Sequence, residues 1–495
     1  MGNVAVPGEV WLKVFKEAGI KSIPSIIATD RLFSRIARPL LFANFDLLVC
    51  GILGGRGTFY ERSPVKHAKA LARLAFFSTP EVARYVRTCH VSTWAVSNPK
   101  WAVSNPLDCV ATENPLLLFE VFLHHVENFT RMKKLVLKIE ITGAHLSRLY
   151  HALPALEELE ANADIIEPWN AVGSGPPLKH LSLTLSSSFT GFRLWTPFLN
   201  SHKLECVDID CMFMRNFTNV HPHDIPRLPN VSRLTLRVTT LDQVINFSPL
   251  LTRFPAVKVL TIGDGRDVFK DEMAAQALEA GCDSLFHTVE ELYGTHLIIG
   301  IFMRRAENLT RITLNTLPTP HEFYSKLGDA RPFSRITYVS LDISGPTARM
   351  LSEILWLFPQ LENLIVDLAK GFRVPADSLS LIHELAQIDA GSERMARAIK
   401  GIFPSTLRRV MISLLFWGGH YRDAICPLQD VRDGLVDNLP NISAIWVDNH
   451  DHALMWRRSP SNSSIEPFHG AVENIGRDAV RSLAGGFREE MRTKP

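Results

Sequence analysis

From residue 130 onward the chain repeats one short pattern: an apolar residue, two of any kind, an apolar residue, one of any kind, an apolar residue. It reads MKKLVL from Met132, LKHLSL from Leu178, LECVDI from Leu204, VSRLTL from Val231 and VKVLTI from Val257. It continues as LTRITL from Leu309, ITYVSL from Ile336, LENLIV from Leu361, LRRVMI from Leu407 and ISAIWV from Ile442. LEELEA from Leu156 is a weakened copy, and VEELYG from Val289 is weaker still, because Gly294 replaces the last apolar residue. Alternation at the end of each copy has the period of a half-buried strand, so each predicts a short strand with its apolar residues turned inward. The residues between them then point outward together. Among these are Lys134, Lys138, His180, Ser182, Asp208, Asp210, Arg233, Arg237, Tyr338 and Trp446.

The spacing of the copies sets the architecture. From Leu178 to Val257 the steps are 26, 27 and 26 residues, and the step of 52 from Val257 to Leu309 is two such units. Leucine-rich repeats have periods of about 20–29 residues. An apolar residue and a proline stand just ahead of many copies, as in Leu153-Pro154, Leu228-Pro229, Phe254-Pro255, Phe358-Pro359, Phe403-Pro404 and Leu439-Pro440. Proline cannot continue a helix and biases its predecessor toward extended backbone, so each pair marks a helix-to-strand turn. The fold class expected is α/β: a curved, irregular leucine-rich-repeat solenoid over residues 131–450 whose concave face carries the outward residues. A doubly wound α/β domain also alternates helices and strands; the short strand pattern and its period favour the solenoid. The longer steps after Leu361 predict insertions, and residues 451–495 are expected to form a C-terminal cap or tail.

The N-terminal region has a different pattern. Pro7 and Glu9 open a helix in which Val10, Val14 and Phe15 share one face. A break at Gly19 leads to a second helical pattern through Ile26, Ile27, Leu32, Phe33 and Ile36. Short helices of this kind cannot bury a sizeable core by themselves. The segment VPGEVWLKVFKEAGIKSIPSIIATDRLFSRIARPLLFANFDL resembles an F-box of the type found in large fungal F-box families. The likeness rests on Val6-Pro7 with Glu9-Val10, on Val14-Phe15, on Arg31 with Phe33, and on Pro39-Leu40-Leu41-Phe42. It departs at Val6, where Leu is usual, and at Ala28-Thr29. Residues 1–47 are therefore expected to be an F-box-like helical unit. Residues 48–130 are expected to be a linker and an atypical first solenoid turn, in which GILGGRGTF is a flexible stretch.

The resemblance implies a substrate-recognition subunit of a Skp-cullin-F-box ubiquitin ligase. Pro7, Val10, Val14 and Phe15 would bind the Skp-type adaptor, and the repeats would hold a protein target that the sequence does not name. Arg233, Arg237, Tyr338 and Trp446 are the candidate target-binding residues, since arginine and large aromatics dominate interface energetics. The alternative is a leucine-rich-repeat scaffold in which a degenerate F-box only caps the repeats.

Composition changes this picture little. With 53 Lys and Arg against 51 Asp and Glu, the net charge of +2 supplies no general attraction to nucleic acid or membrane, so neither is an expected partner. Seven cysteines, an odd and sparse set, do not form a disulfide framework. With no basic, apolar leader at the start, the expected location is intracellular, cytoplasmic or nuclear. Seven Asn-x-Ser/Thr sequons, at Asn128, Asn216, Asn230, Asn246, Asn308, Asn441 and Asn462, then have no glycosylation role. An exact duplication, WAVSNP at 94–99 and 101–106, reads as a tolerated surface loop.

Catalytic motifs do not emerge. Gly54-Gly55-Arg56-Gly57-Thr58 lacks the ending of a phosphate loop, and there is no nucleophile elbow or His-Glu-x-x-His zinc motif. Asp448-Asn449-His450-Asp451-His452 and His221-Pro222-His223 contain metal-capable side chains but no second group at informative spacing. Cys206 and Cys211 read as reduced structural thiols. No enzyme activity, cofactor or metal is expected.

Overall fold

The computed structural model describes residues 8–18, 21–53, 59–62, 64–96, 109–111, 116–139, 141–161, 175–184, 195–199, 202–211, 225–238, 240–264, 272–314, 332–343, 348–368, 402–413, 428–448, 452–458, 473–474 and 476–493. The chain divides into two compact units: Met1–Leu236 with Arg253–Ala256, and Arg237–Thr252 with Val257–Pro495.

The first unit begins with three helices, Gly8–Ala18, Ile23–Thr29 and Arg31–Leu41. Asp30 separates the second from the third: its backbone is extended, and its carboxylate accepts a hydrogen bond from the Leu32 amide at 2.5 Å. That is an N-cap, which satisfies a donor the helix cannot use internally. The helices close around Phe15, Ile23 and Ala37, with Trp11, Ile26, Ile27, Phe33, Ile36, Leu40 and Leu41 packed against them. The Trp11 and Phe33 rings lie 4.7 Å apart and those of Phe15 and Phe33 5.4 Å apart.

Nine strands follow, the last with its final two residues in the second unit: β1 (Asn44–Leu53), β2 (Phe59–Arg62), β3 (Thr88–Val96), β4 (Cys109–Ala111), β5 (Lys134–Lys138), β6 (Glu158–Ala161), β7 (His180–Thr184), β8 (Cys206–Asp210) and β9 (Arg233–Val238). The stretch expected to be a flexible linker is corrected in part, because Gly51, Ile52 and Leu53 continue β1. β1 lies parallel to β3, which is followed in parallel register by β5, β6, β7 and β8. β2 pairs antiparallel with β1 and with β4. Inward residues such as Leu135, Leu159, Leu181 and Val207 are at most 2% exposed, and helices Pro64–Phe77, Leu117–His125 and Gly143–Ala152 bury Leu74, Phe122 and Leu149.

The second unit contains β10 (Val259–Asp264), β11 (Glu291–Gly294), β12 (Arg311–Leu314), β13 (Tyr338–Ile343), β14 (Asn363–Leu368), β15 (Arg409–Ser413), β16 (Ala444–Asp448), β17 (His452–Arg457) and β18 (Glu473–Asn474). Pairing is parallel and in chain order from β10 to β16, then antiparallel from β16 to β17 and β18. The weakest sequence copy is a full strand, β11. Gly294 stands where an apolar residue was expected because helix His296–Arg305 starts almost at once: a Cβ there would lie 3.3 Å from the side chain of Ile298. Each unit is thus mixed α/β with a mostly parallel sheet.

One set of interactions recurs along the copies of the pattern. Each strand begins at the third residue, and the first residue, from Met132 to Ile442, is at most 3% exposed. The residue before the proline closes the preceding turn: Leu156, Leu361 and Ile442 donate backbone N–H groups to the carbonyls of Leu153, Phe358 and Leu439. The second and third residues both donate to one carbonyl on the preceding strand's approach, as Glu157 and Glu158 do to Lys133, and Arg408 and Arg409 to Glu362. Over the first four of these strands, stacking places the second residues Lys133, Glu157, Lys179 and Glu205 in a row of alternating charge. Glu157 sits between Lys133 at 2.7 Å and Lys179 at 3.0 Å, and these bonds lower its carboxyl pKa to about 2.

The sequons belong to the same system. Asn128, Asn230, Asn308 and Asn441 donate side-chain N–H groups to the carbonyls of Ser78, His202, His287 and Ser405, at 2.7–2.9 Å. Two residues on, the hydroxyls of Ser232, Thr310 and Ser443 donate to the carbonyls of Glu205, Glu290 and Arg408, at 3.0–3.4 Å. Here the Asn-x-Ser/Thr pattern ties one turn of chain to the one before it. Asn216 and Asn462 lie outside the described residues, as do His221, His223, Asn449, His450 and Asp451, and the second WAVSNP copy.

Candidate functional surfaces

Two kinds of surface stand out, an apolar stripe on the first helix and the outward faces of the strands. On the first helix Val10 is 46% exposed and Val14 47%, one helical turn apart on the same side. Phe15 faces the other way and is 3% exposed within the three-helix core. Its assignment to an adaptor surface is corrected accordingly: its ring stacks on Trp11 and meets Phe33 edge-on, so it holds the helix in place. Leu32, part of the second helical pattern, is 52% exposed on the third helix and is a further exposed apolar group. Pro7 lies outside the described residues.

In the first unit the outward strand positions form rows fixed by parallel register. One row runs Asn44, Thr88, Lys134, Glu158, His180, Cys206, and the next runs Asp46, His90, Val136, Glu160, Ser182, Asp208. Apart from Val136, these side chains are exposed or half-buried. Lys134 reaches Glu158 at 3.0 Å and Lys138 reaches Glu160 at 3.4 Å. On β9, Arg233 and Arg237 are both exposed on the side opposite Leu234 and Leu236, as the alternation requires.

In the second unit most of the same positions from β13 to β16 are covered, while those of β10 to β12 stay half-buried. A seventeen-residue helix, Arg477–Thr493, packs on β16 and β17 and buries Val480, Ala484, Phe487 and Met491 against Tyr338, Ile365, Met411, Ala444, Trp446 and Ala453. Phe487 lies 5.9 Å from Trp446, ring to ring. Charges edge this apolar seam. Arg488 grips Asp367 with two N–H groups, one at 2.7 Å, Arg492 approaches Glu291 at 3.7 Å and stands 5.0 Å over the Tyr293 ring, and Arg457 pairs with Glu490. Beneath, the buried carboxylate of Asp448 accepts hydrogen bonds from Ser413 Oγ at 2.8 and 3.0 Å and from Trp446 Nε1 at 2.6 Å.

Tyr338 and Trp446 were expected to be exposed contact residues. Each is 2% exposed, so that expectation is corrected: both occupy outward positions, but the chain's own C-terminal helix covers them. Burial pushes the Tyr338 hydroxyl pKa up, in keeping with a group shielded from water. The sequence did carry a signal for this. NLIVDL, RVMIS and AIWVD are nearly continuous apolar runs, the mark of strands buried on both faces, and Val480, Ala484, Phe487 and Met491 recur at helical spacing.

No family model matches the chain, and no curated protein sequence matches it. No helix among the described residues is long and apolar enough to cross a membrane.

Proposed function

We propose that this chain is the substrate-recognition subunit of a Skp-cullin-F-box ubiquitin ligase, with an F-box-like N-terminus and a leucine-rich-repeat body. The observation that carries the reading is the Val10–Val14 stripe. These two side chains are left in water by a helix whose opposite side is anchored by Phe15, on a segment that resembles an F-box. The adaptor covers that stripe, and the protein target meets the first unit's strand face, including Lys138 and Arg233. A ladder-held surface is preorganised, so little entropy is lost when it binds. The chain contributes no chemistry of its own and acts by raising the target's effective concentration near the ligase.

The test is binding of a purified Skp-type adaptor to the full chain and to Val10→Asp/Val14→Asp. Two carboxylates buried at the interface cost about 3 kcal/mol or more, equivalent to roughly 100-fold in affinity. Binding by the wild type and its loss in a folded double variant are expected. Failure of the wild type to bind, or equal binding by both, overturns the ligase reading in favour of a scaffold.

A further inference from the structure

The open strand face of the first unit contains one cluster that charge pairing alone does not account for. His180 starts β7 and Cys206 starts β8, directly opposite each other in parallel register, and Asp208 is two residues beyond Cys206 on the same side. One ligand-capable atom from each, an imidazole nitrogen, a sulfur and a carboxylate oxygen, all lie within 4.8 Å of one another. We propose that His180, Cys206 and Asp208 bind a single divalent transition-metal ion of the zinc class.

Several observations favour an ion here. Zinc bonds of about 2.3 Å to sulfur and 2.0–2.1 Å to nitrogen and oxygen place neighbouring donors roughly 3.3–3.6 Å apart. The His180 Nε2 to Asp208 Oδ2 distance is 2.7 Å, so about an ångström of side-chain rotation opens the cluster to that size while the backbone ladder stays fixed. Nitrogen, thiolate and carboxylate together suit zinc or cobalt and do not suit magnesium or calcium, which take oxygen ligands. Cys50, Cys89, Cys211 and Cys282 are buried, whereas Cys206 is half-exposed and can be reached by an ion. Burial pushes the thiol pKa of Cys89, Cys211 and Cys282 up, which keeps them protonated and inert. Three protein ligands on a half-exposed face leave a fourth position for water.

The test uses the full chain, reduced and stripped with a chelator, then titrated with Co(II) as a spectroscopic substitute for Zn(II). One equivalent is expected, with a thiolate-to-cobalt charge-transfer band in the near ultraviolet, visible bands of four-coordinate cobalt, and displacement by Zn(II). Cys206→Ser is expected to abolish the charge-transfer band, and His180→Gln and Asp208→Asn to weaken binding by about tenfold or more. Far-ultraviolet circular dichroism checks that each variant folds. Absence of the band in the wild type, or its survival in Cys206→Ser, overturns the proposal. If Cys206→Ser fails to fold, unchanged affinity in both other variants overturns it equally.

Discussion

The strands of the two units start from the same pattern and the same hydrogen-bonded turn, yet their outward faces differ in kind. In the first unit the third and fifth positions of successive copies are Glu158 and Glu160, His180 and Ser182, Cys206 and Asp208, and they stay exposed or half-buried. From β14 to β16 of the second unit they become Asn363 and Ile365, Arg409 and Met411, Ala444 and Trp446. Register aligns Ile365, Met411 and Trp446 into one apolar row. Water does not stabilise such a row, and the helix at Arg477–Thr493 covers it. The backbone ladder is thus indifferent to what its outward face does. Two alternating positions per strand decide whether that face is a surface or a second core.

The largest effect should come from breaking the second core. Phe487→Ala removes the ring that packs on Trp446 and is expected to cost about 3–5 kcal/mol. Urea unfolding of the full chain should show the loss, and a loss below about 1 kcal/mol would mean that the helix is only loosely docked. Replacing Lys138 by Ala, on the open face of the first unit, should leave the unfolding midpoint almost unmoved, as is usual for exposed positions.

The turn bonds should behave alike in both units. Asn230→Ala in the first and Asn441→Ala in the second each remove a side-chain hydrogen bond to the preceding turn. Each should cost about 0.5–1.5 kcal/mol in the same unfolding assay. A cost confined to one unit would show that the turn is not the shared element it is described to be.

The smallest effect has the opposite sign. Gly485 and Gly486 interrupt the C-terminal helix on its outer side, and a Cβ at either position meets nothing within 4 Å. Gly485→Ala and Gly486→Ala should each stabilise the second unit by about 0.5–1 kcal/mol. Destabilisation by either would place an unrecognised contact on the helix's outer side.

The strand positions were legible in the sequence because one buried face imposes period two, and a repeating turn imposes the longer period. Met132, Leu178, Leu204 and Val231 are all buried where the pattern requires. What the pattern could not supply was the occupant of the outward face. Tyr338 and Trp446 were read as exposed because alternation specifies only which side a residue takes, and the helix that covers them lies over 100 residues beyond Tyr338: Arg488 and its partner Asp367 are 121 positions apart. Phe15 was misplaced for a related reason. Val14 and Phe15 are consecutive, about 100° apart around the helix, and only the tertiary packing shows which is inside. The sequons were read only as lacking a glycosylation role, whereas the asparagines of four of them and the hydroxyls of three serve the turns.

On the proposed reading, recognition uses the first unit's open strand face, while in the second unit the face from β13 to β16 is occupied by the chain's own C-terminal helix. Its most direct test is comparative proximity labelling in cells with three chains: the wild type, Lys138→Glu/Arg233→Glu, and Arg481→Glu on the exposed side of the C-terminal helix. All three must first be shown to fold equally. The expected result is that Lys138→Glu/Arg233→Glu loses a subset of partners while retaining the Skp-type adaptor, and that Arg481→Glu keeps the full set. A partner set unchanged in the first variant and diminished in the second would contradict the claim and move the recognition surface to the C-terminal helix.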